Sequence, residues 1–169
     1  WNRYAKGGSW RYSVETAGFK YNMTDIQAAL GLTQLKRLEY MQKKREEYVA
    51  IYNEKLKGVR GVSIPTDNIK GRSSLHLYII RVDKNELDID RDEFIEELTA
   101  MNIGTSVHFI PVHLQPFYQK NFGTKQGDYP VAESIFDKII SLPLYPSMKQ
   151  EDVEYVADAV REISEKHAK

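Results

Sequence analysis

Residues 18–31, GFKYNMTDIQAALG, decide how this chain is read. They join a polar, irregular segment to the longest helix the sequence supports. Thr24 and Gln27 have capping-box spacing: the Thr24 hydroxyl can accept from the Gln27 backbone N–H, and the Gln27 side chain can reach back to the N–H of Thr24. Asp25 falls in the first turn, where the helix dipole favours negative charge. Ile26, Ala29, Leu30 and Leu38 recur near one helical face, which Ala28 and Leu35 widen. Tyr21, Asn22 and Met23 come immediately before the cap, so the helix start determines where they are aimed.

The helical pattern continues to about Leu56, and Gly58 suits its C-terminal stop. That is long for a globular helix. Its second half is heavily charged, with Tyr48, Ile51, Tyr52 and Leu56 on one side, as in a helix that bridges or lies along a domain. The apolar pattern is not a sustained heptad, which argues against a coiled coil. Downstream, residues 62–65 read as a short strand and residues 66–74 as a polar loop. Residues 76–82, HLYIIRV, read as a strand rich in β-branched and aromatic side chains. Asp90 and Glu93 form a second capping box for a helix from Arg91 to about Met101, with Phe94, Ile95, Leu98 and Met101 inward. Residues 105–110 read as a strand and residues 111–122 as a loop or short helix. A helix opens at Pro130 and runs to about Ile139. Residues 141–145 are extended, and an amphipathic helix over residues 150–166 closes the pattern. The expected fold class is an α/β (α+β) sandwich, a small sheet covered by helices.

Lys+Arg and Asp+Glu both total 24, so the formal net charge is zero. Bulk electrostatic binding to nucleic acid or an anionic membrane is disfavoured. No apolar run is long enough to span a bilayer. Zero cysteines exclude a disulfide framework and Cys-based zinc sites. A cytoplasmic location is the default expectation. The chain opens at Trp1 without Met, followed by an aromatic, polar segment bearing Tyr4, Trp10 and Tyr12. An upstream portion is expected.

The richest chemistry lies in residues 104–118, GTSVHFIPVHLQPFY. A strand would deliver His108 to its end, Pro111 would turn the chain, and His113, Gln115 and Tyr118 would follow on an irregular segment. Such positions commonly carry substrate contacts. The plainer alternative is a satisfied strand histidine at 108 and a core tyrosine at 118. His108 and His113 lack an obvious carboxylate as third ligand, so no metal site is expected.

Together these segments resemble the DegT/StrS-type PLP-dependent sugar-nucleotide aminotransferases. Gly18, Asn22, Met23, Thr24, Asp25, Gln27, Ala28, Ala29 and Gly31 fit the family's interdomain helix start. Gly104, Thr105, His108, Phe109, Pro111, Val112, His113, Gln115, Pro116 and Tyr118 fit a second family segment. SLHLYII at residues 74–80 and SLPLYP at residues 141–146 fit two more, in the family's order.

The resemblance implies the C-terminal small domain of a fold-type-I aminotransferase. Residues 1–23 would end a large PLP domain, 24–57 form the interdomain helix, and 58–169 form the small domain. Members act as homodimers with active sites at the subunit interface. Pyridoxal 5'-phosphate is held by a lysine of the large domain, and an amino group moves from glutamate to a keto carbon of a nucleotide-sugar. Carried over by position, Asn22 would reach the PLP phosphate of the partner subunit, although an asparagine there can also simply stabilise a turn. His113 would face the nucleotide-sugar; His108, Gln115 and Tyr21 are further candidates to line that site, while His76 is as readily structural. The segment carrying the family's PLP lysine has no counterpart here, and neither Lys6 nor Lys20 has its context. No catalytic residue is therefore expected in this chain, which should be inactive alone. Roughly 200 residues of a preceding domain are expected upstream. Two other parents remain open: a PLP-dependent sugar dehydratase relative, and a non-catalytic regulatory or binding protein of the same fold.

Overall fold

The structure, a computed structural model, describes residues 16–66 and 71–169. The aromatic segment with Trp1, Tyr4, Trp10 and Tyr12, and Lys6 within it, lies outside the described residues, as do residues 67–70 of the polar loop.

Helix α1 (Asp25–Leu56) starts where the capping box requires. The Thr24 N–H donates to Gln27 Oε1 at 2.9 Å, and the Gln27 N–H donates to Thr24 Oγ1 at 3.3 Å. Gly58, with φ of 76°, follows its end in the left-handed region that glycine tolerates. Contacts divide the chain into two units, one ending at Arg37 and one running from Leu38 to Lys169. In the first, Phe19, Tyr21, Met23, Ile26, Leu30 and Leu35 are exposed. The apolar stripe read from the sequence is present there and uncovered.

The second unit holds the core. Strands β1 (Val62–Ser63), β2 (Tyr78–Val82) and β3 (Ile139–Leu142) form an antiparallel sheet in the order β1-β2-β3. β2 buries Tyr78, Ile80 and Val82 at every second position, as a half-covered strand should. Helices α2 (Arg91–Ala100) and α5 (Gln150–Lys166) pack on each other, and α2 also packs on β3. Inward from α5 come Val153, Val156, Ala157, Val160 and Ile163. The C-terminal part of α1 adds Tyr48, Tyr52 and Leu56. Buried tyrosines need partners for their hydroxyls. Tyr48 donates to the carbonyl of Met148, and Tyr52 donates to that of Pro143 at 2.8 Å.

The second capping box is complete: the Asp92 and Glu93 N–H groups donate to Asp90 Oδ1, and the Asp90 N–H donates to Glu93 Oε2. Two expectations need correction. Residues 105–110 do not form a strand; they make one isolated bridge, Ser106 to Ser141. Beyond that bridge residues 107–110 have no ladder partner among the described residues, and strand composition alone does not supply one. The helix opened by Pro130, α4 (Pro130–Phe136), ends earlier than expected. Ile139 and Ile140 instead begin β3, three pairs deep against β2 by the time Ser141 meets Ile79. Their β-branched side chains suit the buried strand better than a helix end. Residues 111–122, read as a loop or short helix, hold a 3-10 turn (Val112–Leu114) and the short helix α3 (Pro116–Phe122).

Candidate active-site segment

The segment 104–133 leaves the sheet edge at Ser106 and runs through α3 into the start of α4, and its polar groups gather around two histidines. Ser106 and Ser141 exchange both backbone hydrogen bonds, at 3.2 and 2.8 Å. His108, two residues on, places Nδ1 2.8 Å from Ser141 Oγ. One serine thus holds this segment by main chain and side chain together. The following peptide, His108–Phe109, is cis. Phe109 and Ile110 are exposed.

Pro111 leads into the 3-10 turn that carries His113. This histidine is buried at 7% exposure, unusual for a polar side chain. Its Nε2 lies 2.7 Å from Glu133 Oε1. Glu133 stands in the first turn of α4, and it also accepts from the backbone N–H of Gly127 at 2.9 Å and of Tyr129 at 3.4 Å. The hydrogen bond from His113 is the main cause holding the Glu133 carboxyl below its ordinary value; partial burial works against it, and the two backbone N–H groups add to the lowering. Thr124 Oγ1 donates to the His113 carbonyl at 2.7 Å, and the Tyr129 ring centroid lies 4.8 Å from that of His113. Gly123 closes α3 in the left-handed conformation, φ 68°.

The result is an open cavity of about 530 Å³ between α3 and α4, walled by Pro111, Val112, His113, Tyr118, Phe122 and Tyr129. Tyr118 and Phe122 stack with centroids 5.8 Å apart. An apolar, aromatic wall interrupted by a few fixed polar groups is the usual make-up of a small-molecule site.

Of the residues singled out from sequence, His113 and Tyr118 share this wall. Half-buried His108 sits at the sheet edge, and half-buried Gln115 is the N-cap of α3, making no side-chain cap bond. His76 is exposed. Tyr21 and Asn22 are exposed and belong to the first unit. Sequence reasoning missed Glu133, Ser141, Thr124 and Tyr129. Glu133 carried one usable signal, an acid in the first turn after a helix-opening proline; Ser141 stood in the SLPLYP segment with no role assigned to it, and Thr124 and Tyr129 carried none. Among the described residues no group of three or more His, Asp or Glu side chains is placed to hold a metal ion, and no helix is long and apolar enough to cross a membrane.

Comparison with known proteins gives a consistent picture. Residues 4–161 match the DegT/DnrJ/EryC1/StrS aminotransferase family. The chain is 51% identical over 164 residues to the spore coat polysaccharide biosynthesis protein SpsC of Bacillus subtilis, covering 96% of this chain and 42% of that protein. Among solved structures, the PLP form of Spr1654 from Streptococcus pneumoniae aligns with a TM-score of 0.80 at 35% identity, over 93% of this chain and 40% of that one. DesV of S. venezuelae, in complex with a ketimine intermediate, aligns at 0.81 and 32% identity, over 94% and 41%. The chain therefore spans about two-fifths of the length of these relatives.

Proposed function

This chain belongs to the DegT/DnrJ/EryC1/StrS aminotransferase family, and from that premise we propose that it supplies the C-terminal part of a PLP-dependent sugar-nucleotide aminotransferase. The enzyme moves an amino group from glutamate to a keto sugar carried on a nucleotide, for cell-surface polysaccharide or secondary-metabolite sugars. It works in the cytoplasm as a homodimer. Residues 24–57 form the interdomain helix and 58–169 the small domain.

The observation that carries this reading is the exposed amide of Asn22, two residues ahead of the capped start of α1. An exposed amide there is free to donate to a cofactor phosphate. Asp25 puts a carboxylate in the first turn, so the helix end itself suits an anion poorly, whereas a neutral exposed amide can donate to one without a charge penalty. Asn22 would thus hold the PLP phosphate of the partner subunit. When bound, PLP supplies the electron sink at the carbon being converted. The residues of this chain bind and orient: His113 contacts the nucleotide-sugar from the aromatic wall, and His108, Gln115 and Tyr21 line its surroundings. None of its lysines has the family's cofactor-binding context, so the chain alone neither holds PLP covalently nor transaminates.

The test is the half-reaction of the full-length protein with PLP and glutamate, followed by the conversion of PLP to its amine form in the absorption spectrum. Conversion supports an aminotransferase; retention of PLP with dehydration of a nucleotide-sugar would identify a dehydratase instead, and no PLP binding at all would identify a non-catalytic parent. A borohydride-trapped PLP adduct on the isolated chain would overturn its assigned inactivity.

A further inference from the structure

The pairing of His113 with Glu133 decides what His113 can recognise. A carboxylate is acceptor-only, so a hydrogen bond of 2.7 Å between His113 Nε2 and Glu133 Oε1 requires the proton to sit on Nε2. The same carboxylate accepts from Gly127 and Tyr129 N–H groups, which fixes it in place and leaves it no reason to swing away. Thr124 holds the His113 backbone from the other side. With Nε2 committed, Nδ1 is the ring nitrogen left for a ligand, and it has no hydrogen-bond partner among the described residues. In the neutral ring that nitrogen is an acceptor.

We infer that Glu133 is a positioning residue that sets His113 as a hydrogen-bond acceptor, so that His113 takes a donor group of the nucleotide-sugar, a sugar hydroxyl or a base N–H, and not its pyrophosphate. The inference rests on the aminotransferase reading for the identity of the ligand, but the tautomer stands by itself. A histidine beside a nucleotide would ordinarily be assigned to the phosphates, since a protonated imidazole donates from both nitrogens. Here the surroundings argue otherwise. Apart from Thr124, whose hydroxyl is given to the His113 carbonyl, the rest of the lining is apolar and aromatic, and among the described residues it holds no lysine or arginine to share an anion's charge.

Two measurements test this. Nitrogen-15 spectra of the histidine-labelled chain, taken well above the ordinary imidazole value of about 6.5, should show His113 protonated on Nε2; protonation on Nδ1 overturns the inference whatever the enzyme does. In the full-length protein, E133Q gives the partner an amide that can either donate or accept, so the tautomer is no longer imposed. It should raise KM for the nucleotide-sugar about tenfold, the equivalent of one hydrogen bond, with kcat within about twofold and inhibition by inorganic pyrophosphate unchanged. If inhibition by the nucleoside diphosphate weakens too, the donor is on the base; if only the sugar-bearing substrate is affected, it is a sugar hydroxyl. Weakened pyrophosphate inhibition would place the phosphates against His113 and overturn the inference. Should the full-length protein fail to transaminate while His113 shows the Nε2 proton, the enzyme reading falls and the positioning role of Glu133 survives.

Discussion

Replacing Tyr52 by phenylalanine isolates one hydroxyl in the centre of the core. Tyr52 is fully buried in α1, its ring centroid lies 4.7 Å from that of Tyr78, and its hydroxyl donates to the Pro143 carbonyl at 2.8 Å. Phenylalanine keeps the ring, its tilted contact with Tyr78 and nearly all the buried apolar area, so the transfer contribution barely changes. What is lost is a hydrogen bond with a net value of about 1 kcal/mol, and the Pro143 carbonyl is left without this donor, which raises the expected loss to about 1–2 kcal/mol. Tyr52→Ala removes the ring as well and should cost about 3–5 kcal/mol. With a urea dependence of about 2 kcal/mol per molar, the phenylalanine variant should unfold at a midpoint lower by about 0.5–1 M, with an unchanged slope. Equilibrium urea denaturation followed by circular dichroism measures both. An unchanged midpoint would mean that the hydroxyl contributes nothing beyond packing. A loss as large as that of the alanine variant would mean that the hydroxyl, not the ring, organises this part of the core.

Burial, followed by the neighbouring phenols of Tyr78 and Tyr145, pushes the Tyr52 phenol well above the ordinary tyrosine range. Its stabilising effect is complete below the unfolded value of about 10 and is lost as pH rises beyond it, because the unfolded chain ionises first. A spectrophotometric titration should show a late tyrosine that disappears in Tyr52→Phe. Glu133 runs the other way: its carboxyl is held below the ordinary 4.5, so its hold on residues 127–129 is intact above that value and fails as pH falls through the lowered one. Amide exchange at Gly127 and Tyr129 should accelerate only in acid, and equal protection at acid and neutral pH would refute Glu133 as the holder. Gly61→Ala should destabilise by about 2–4 kcal/mol, since φ is 68° there and an added Cβ would meet Leu87 Cγ at 2.5 Å. Thermal unfolding measures the loss, and a variant as stable as the parent would show that the buried Leu87 can yield.

The helices were legible because their signals are local. Thr24 with Gln27 and Asp90 with Glu93 announce two starts through side chains that bond their own backbone three residues away, and no distant part of the chain is needed to close them. The period of α5 was legible for the same reason. Strands depend on partners. Residues 105–110 have the composition of a strand and still make one bridge, because a strand also needs a partner along its length and composition does not supply one. Ile139 looked like the tail of a helix, and only β2 across from it makes it the start of a strand. The site divides along the same line. His108 and His113 stand out as residue types in a proline-punctuated segment, whereas Glu133, 20 residues beyond His113, becomes visible only when α4 folds back.

Ser141 has a consequence for the sheet as a whole. The rim of a β-sheet is a template on which another molecule's backbone can add, and repeated addition makes fibrils. This sheet gives a newcomer little to grip. On one side β1 is two residues long. On the other, the Ser106 main chain occupies Ser141, and the His108 ring caps the same serine's hydroxyl. The stitch that presents the His108 segment therefore also blunts the rim against runaway polymerisation, and loosening it by substitution at Ser141 or His108 would expose the all-buried residues of β3 to other copies of the chain.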